Sequence, residues 1–156
     1  MKLSDLLSED VIKIPLESTE KEKIIEEMID LLARAGKVND RDKILKAVLE
    51  RERVMSTGVG DGVAIPHGKA EGVKDLAASF GITKQDVDFE SLDDKPVRLV
   101  FMLVGPPDIT GPHLKALSRI SRLMHKPDLR ARLLEAKTPQ DVLKIIGDEE
   151  AKFFEM

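Results

Sequence analysis

The sequence predicts a single-domain, layered α/β fold, and three observations carry that expectation. Amphipathic helical segments stand at both ends of the chain, and a glycine-punctuated region of short apolar runs lies between them. One of those runs, Val97 to Val104, is apolar almost throughout. A β-prone stretch with so little polar character reads as a central strand buried on both faces, with helices to cover it. The 156 residues suffice for one well-packed domain and not for two ordinary ones.

Each element has its own signal. Val11 to Ile14 reads as a short strand closed by Pro15. From Thr19 to Ala35, the residues Ile24, Ile25, Met28, Leu31, Leu32 and Ala35 recur at helical spacing, with charges on the opposite face. Thr19 with Glu22 has the pattern of a capping box, and Gly36 supplies a stop. Asn39 or Asp40 caps a second helix, striped by Ile44, Leu45, Val48 and Leu49 and ending near Arg53.

Five of the ten glycines then fall between Gly58 and Gly72, around the run Val63-Ala64-Ile65. That run is too short for a helix and reads as a strand entering a tight loop at Pro66-His67-Gly68. Leu76 to Thr83 is a further strand, and Lys84 to Lys95, acidic and rich in turn residues, a solvated loop or hairpin. Beyond Gly105-Pro106-Pro107, Leu114, Leu117, Ile120 and Met124 stripe a helix, and that stripe reads as core rather than partner surface. Pro127 opens a shorter helix with Leu129, Leu133 and Leu134. Thr138, Pro139 and Asp141 supply the cap, N1 proline and N-terminal acid of a last one. Residues 148–156 read as a C-terminal tail, whose Phe153 and Phe154 cover an apolar patch or serve as a docking element, the first being commoner.

Composition narrows the chemistry. Lys plus Arg number 25 against 29 Asp plus Glu, a net charge of −4, so no global field holds nucleic acid or an anionic membrane. With no Cys, disulfides, thiolate nucleophiles and Cys-based metal sites are excluded. No Trp, no Tyr and five Phe argue against a stacking platform for single-stranded nucleic acid. No apolar run approaches the roughly 20 residues that span a bilayer, and the N-terminus lacks the apolar core of a secretory signal. A cytoplasmic protein without membrane insertion is expected. Three histidines, His67, His113 and His125, are the side chains that ordinarily titrate near neutral pH. They include no i,i+4 pair, so their spacing implies no metal.

The glycines invite a nucleotide reading, which fails. A dinucleotide fingerprint needs a third glycine where Val63 stands, and a strand before the loop rather than a helix. A P-loop needs a glycine at Val63 and Ser or Thr at Ala70. What remains is a histidine on a glycine-flanked turn at a strand end. Gly68 lets backbone N–H groups approach whatever sits on the His67 ring, and consecutive N–H groups form anion-binding nests. A neutral imidazole is a good nucleophile toward phosphorus. On position alone an ordinary loop histidine remains an equal alternative.

The surroundings distinguish the two. Glu52, then Val59-Gly60, then Val63-Ala64-Ile65-Pro66-His67-Gly68 resembles the active-site signature of type-2 enzyme IIA domains of the bacterial phosphotransferase system, the fructose/mannitol class that includes the nitrogen-regulatory enzyme IIA. Arg51-Glu52-Arg53, Ser56-Thr57-Gly58, Asp94-Lys95-Pro96-Val97 and His113-Leu114 extend the resemblance over nearly the whole chain.

The resemblance implies a mixed β-sheet with helices on both faces. It implies that His67 accepts a phosphoryl group from phospho-HPr, that His113 lies beside it to hold a phosphoryl oxygen or orient the ring, and that Arg51 contacts the phosphate. Gly68 and Thr57 are candidates for substrate binding, with Ser56 a weaker one, although hydroxyls before a glycine turn more often make turns. His125, near a helix C-terminus, is left structural. No cofactor and no metal are implied. Two functions follow, a phosphocarrier passing phosphate to an enzyme IIB and a regulatory module whose phosphorylation controls its contacts. The Ser56-Thr57-Gly58-Val59-Gly60 run and the chain's length favour the nitrogen-regulatory subgroup. The alternative is a fructose/mannitol-type sugar-uptake enzyme IIA acting on a separate IIB.

Overall fold

The computed structural model describes residues 2–154, and of Phe153 and Phe154 the backbone alone. The chain runs through α1 (Leu3–Leu6), a 3₁₀ turn (Glu9–Val11), β1 (Ile12–Leu16), α2 (Lys21–Arg34) and α3 (Arg41–Val54). Three short strands follow: β2 (Gly58–Gly60), β3 (Val63–Ala64) and β4 (His67–Lys69). Two long ones come next, β5 (Ala77–Val87) and β6 (Val97–Gly105), and then α4 (Thr110–Met124), α5 (Pro127–Glu135) and α6 (Pro139–Phe154).

The apolar run beginning at Val97 is the hub. All of β6 except Arg98 is buried. On one edge it pairs antiparallel with β5, from Ala77 opposite Val104 to Val87 opposite Val97. On the other it pairs in parallel with β3, Val63 opposite Leu99, and then with β4, His67 opposite Leu103. The result is a mixed six-stranded sheet in the order β1-β5-β6-β3-β2, with β4 continuing the line of β3. Phe80 and Phe101, paired across β5 and β6, stack edge to face with centroids 5.6 Å apart in the core.

Helices cover both faces, as expected. Gly68 of β4 faces Val48 of α3, while its neighbours His67 and Lys69 meet α4 at His113 and Thr110. Successive strand residues point to opposite faces, so α3 and α4 lie on opposite sides of the sheet. α2 packs with α3 and α5 with α4. Buried Glu150 of α6 accepts the N–H groups of Leu3 (2.7 Å) and Ser4 (2.9 Å) and pairs with Arg119 of α4 (3.2 Å), tying the two ends of the chain together. Among the described residues no helix is long and apolar enough to cross a membrane.

Several local expectations hold. Asp40 caps α3 by accepting the Lys43 N–H, Gly36 ends α2 with a φ of 75°, and Thr138 and Asp141 exchange hydrogen bonds at the start of α6. Others are corrected. β1 runs through Pro15 to Leu16, because it is an edge strand and needs ladder donors on one side only. Thr19 and Glu22 form no capping box: α2 begins at Lys21 with Glu20 in the cap position. Glu27 reaches back instead to accept the N–H groups of Glu17 (2.9 Å) and Ser18 (3.0 Å). The stretch from Lys84 is strand as far as Val87, and the loop after it buries Phe89 and Ser91. Residues 148–154 continue α6. The side chains of Phe153 and Phe154, and with them the cover or docking role, lie outside the described residues, as do Glu155 and Met156.

One close approach sets where α3 sits. A Cβ on Gly68 would stand 3.1 Å from the Val48 backbone N and 3.2 Å from its Cα, tighter than nine in ten real Cβ contacts. Gly68→Ala should therefore lower the unfolding free energy by about 1–3 kcal/mol. Urea titration checks this, and wild-type stability in the variant would mean that α3 is free to recede from β4.

Candidate functional site

The histidine segment is held at both ends. Asp61 and Gly62, both at positive φ (58° and 80°), make the two-residue turn that folds β2 onto β3. Ile65 and Pro66 then bridge β3 to β4, and the Pro66 carbonyl accepts the Leu103 N–H at 3.0 Å. His67 is thus the first residue of a short strand paired to β6, not a free loop tip, and its backbone is as fixed as the sheet.

The ring is fixed too. His67 Nδ1 lies 2.9 Å from the Ile65 carbonyl oxygen. A carbonyl only accepts, so Nδ1 carries the proton and Nε2 is the bare nitrogen. Burial lowers the His67 pKa from its ordinary 6.5, the Ile65 bond opposes that, the Arg51 charge lowers it further, and Glu52 pushes the other way. Near neutral pH the ring is predominantly neutral and nucleophilic at Nε2.

Around it an open cavity of about 500 Å³ spans the β4 edge of the sheet, lined from α3 on one face and α4 on the other. Ala47, Glu50, Arg51 and Val54 line one side, Gly68 and Lys69 the floor beside His67, and His113, Leu114 and Leu117 the other side. The structure therefore brings together four of the five residues singled out from sequence: His67, His113, Arg51 and Gly68. The Arg51 guanidinium donates to the Met55 carbonyl at 2.8 Å, which holds it at the α3 terminus.

His113 sits in the first turn of α4, 3% exposed, its ring centroid 5.9 Å from that of His67. Its Nδ1 is buried without a hydrogen-bond partner among the described residues. Burial first, then the charges of His67 and Lys69, lower its pKa to about 4. An unpaired buried acceptor costs less than adding a buried charge, so a neutral ring is expected at pH 7.

Thr57 is elsewhere. It is 3% exposed and its hydroxyl donates to Glu52, away from the cavity. Ser56 donates to the Phe89 carbonyl (2.7 Å) and accepts from the Gly58 N–H, a turn-making role. His125 is exposed at the α4 C-cap. The Leu114–Met124 stripe needs correcting: the buried face of α4 is His113, Ala116, Ile120, Leu123 and Met124, while Leu114 is 62% exposed on the cavity wall. The helix is turned by about one residue, because His113 and not Leu114 occupies the inward position.

Two residues carried no role in the sequence reading. Lys69 lines the cavity and donates to Thr110 at 3.1 Å; its place directly after His67-Gly68 was the only signal. Glu52, inside the quoted signature, is a carboxylate buried at 6% exposure. No cluster of three or more His, Asp or Glu among the described residues could hold a metal ion.

Comparison with known proteins agrees with this architecture. The family described as "Phosphoenolpyruvate-dependent sugar phosphotransferase system, EIIA 2" matches residues 5–149, and the chain belongs to it. It is 44% identical over 150 residues to the fructose-specific EIIABC component of Bacillus subtilis, covering 96% of this chain but only 24% of that longer protein. It is 41% identical to the fructose-specific EIIA component of Haloferax volcanii, over 82% of this chain and 83% of the relative. Against the nitrogen regulatory protein of Bradyrhizobium diazoefficiens it is 34% identical, over 94% and 95% of the two chains. The crystal structure of the nitrogen regulatory protein IIA-Ntr from Neisseria meningitidis superposes with a TM-score of 0.86 at 33% identity, covering 92% of this chain and 98% of that one.

The His113 environment has a measurable consequence. The unfolded chain takes up the proton near pH 6.5 and the folded chain only near 4. Stability is therefore full above about 6.5 and is lost as pH falls toward 4, by on the order of 3 kcal/mol. Urea unfolding across that window should show a shallower slope for His113→Gln than for wild type. Identical slopes would contradict the buried, neutral ring.

Proposed function

We propose that the protein is a phosphocarrier of the phosphotransferase system, accepting a phosphoryl group on Nε2 of His67 from an HPr-type phosphocarrier. The observation that carries this reading is the Nδ1 contact with the Ile65 carbonyl, which leaves Nε2 unprotonated on a ring lining an open cavity with two cationic side chains. The Nε2 lone pair forms a bond to phosphorus as the bond to the donor's imidazole nitrogen breaks, and that electron pair leaves with the donor imidazole. Nδ1 keeps its proton throughout, so the phosphorylated ring carries positive charge against the Ile65 carbonyl.

Phosphoryl transfer through a loose transition state asks the protein chiefly for position and for charge against the equatorial oxygens. Arg51 supplies a planar donor fork. His113, neutral and lacking a partner at Nδ1, would present Nε2–H as a donor to a phosphoryl oxygen. Val54, 80% exposed, and Leu114 form an apolar rim on which a protein donor can dock. No nucleic acid, cofactor or metal has a place in this scheme, and a cytoplasmic setting follows from the partners.

Two recipients fit. The Ser56–Gly60 run favours a nitrogen-regulatory role, in which the phosphorylation state controls contacts with other proteins. The greater identity to the two fructose-specific relatives, 44% and 41% against 34%, favours onward transfer to an enzyme IIB. We favour the second. A related solved structure, 21% identical, is described as a complex of the mannitol enzyme IIA with phosphorylated enzyme IIB.

Incubation with phosphoenolpyruvate, enzyme I and HPr should place acid-labile, base-stable phosphate on the protein. His67→Ala should remain unlabelled, and Arg51→Ala and His113→Ala should be labelled at least roughly tenfold more slowly. Labelling of His67→Ala at the wild-type rate would overturn the assignment. Transfer of the label to a fructose-type IIB supports the sugar-uptake recipient, and its retention supports the regulatory one.

A further inference from the structure

A continuous hydrogen-bond chain runs from α2 to the His67 ring. Lys21 Nζ lies 2.9 Å from Glu52 Oε2 and 5.2 Å from the centroid of buried Phe89. Glu52 accepts the Thr57 N–H on Oε2 (2.7 Å) and the Thr57 hydroxyl on Oε1 (2.5 Å). The Thr57 carbonyl then accepts the Ile65 N–H at 2.9 Å, and the Ile65 carbonyl accepts Nδ1–H of His67. Every link is short, and both Glu52 and Thr57 are buried.

We infer that Glu52, held by Lys21, is a positioning residue: by clamping Thr57 at both donors it fixes the Ile65 carbonyl, and through it the tautomer and aim of His67. Three features support this. A buried carboxylate is costly unless fully bonded, and here two of its three bonds go to Thr57, directly before the strand that pairs with β3. Thr57 directly precedes β2, and its carbonyl carries the backbone link to the histidine segment, the Ile65 N–H bond. Ile65 likewise falls between β3 and β4, with its N–H anchored by the Thr57 carbonyl and its C=O bonded to the His67 ring. The opposing influence of Glu52 on the His67 charge is consistent with its nearness. Glu52 does not touch the cavity; it acts through the backbone.

The inference rests on the phosphocarrier reading for its rate consequence, but its ring consequence is independent of phosphate. The test separates reach from charge. Glu52→Gln keeps the length needed to accept the Thr57 N–H, whereas Glu52→Asp keeps the charge but falls one carbon short. Imidazole ¹⁵N spectra at pH 8 should show His67 as the Nδ1–H tautomer in wild type and Glu52→Gln, and a mixture with Nε2–H in Glu52→Asp. Phosphorylation from phospho-HPr should slow roughly ten- to hundredfold in Glu52→Asp and within about threefold in Glu52→Gln. Thr57→Val, lacking the hydroxyl donor but keeping the fold by far-UV circular dichroism, should fall between them in tautomer ratio. The inference is overturned if both Glu52 variants keep the wild-type tautomer, or if the order is reversed with Asp retained and Gln lost, which would make Glu52 a charge and not a clamp. If wild type is never phosphorylated while the tautomer ratios follow the expected order, the phosphocarrier reading fails and the clamp stands.

Discussion

The hydrogen bond from His67 Nδ1–H to the Ile65 carbonyl is the interaction on which the site depends. Donor and acceptor are two residues apart, and such a bond forms only if the backbone between them is bent and held. β3 and β4 hold it by pairing in parallel with the same edge of β6, one on each side of Ile65-Pro66. The buried strand that organises the core therefore also holds both ends of the histidine segment. Chemistry and folding share one element.

The electrostatics around the ring are arranged in opposite senses on its two sides. Arg51 and Lys69 line the cavity, where negative oxygens would sit. Glu52 lies outside that cavity and is buried. A neutral nucleophile favoured by burial becomes a cation once a group is attached at Nε2, and the Ile65 carbonyl is placed to stabilise that cation. His113 is buried in α4, which favours its neutral form. Gly68 allows all of this by letting α3 lie directly on β4, which brings Arg51 to the same edge as His67.

Much of this was legible in the sequence, and the exceptions have physical causes. The layered α/β class, the buried strand at Val97 and both long N-terminal helices follow from periodicity and glycine placement, and the His67, His113 and Arg51 grouping follows from the family resemblance. The rest depends on tertiary contacts that no local pattern encodes. Glu27 replaces the Thr19 cap by reaching back across the β1–α2 connection. Phe89 and Ser91 are buried inside a segment whose composition is that of a solvated loop. The α4 stripe was displaced because leucine outranks histidine as a core residue, yet His113 faces inward and Leu114 outward. Thr57 was grouped with the site through its neighbours, whereas its hydroxyl serves a carboxylate that the signature contains without explaining.

The family relationship covers almost the whole chain, and fold neighbours at 21–22% identity still superpose with TM-scores of 0.77. That breadth fits a fold organised by sheet pairing around one buried strand. The central claim is that the Ile65 bond reserves Nδ1 for the proton and Nε2 for phosphorus. The most direct measurement is long-range ¹H–¹⁵N NMR of the phosphorylated, ¹⁵N-labelled protein at alkaline pH. Phosphorus is expected on Nε2 of His67 with the Nδ1 proton retained; attachment at Nδ1 would contradict that assignment.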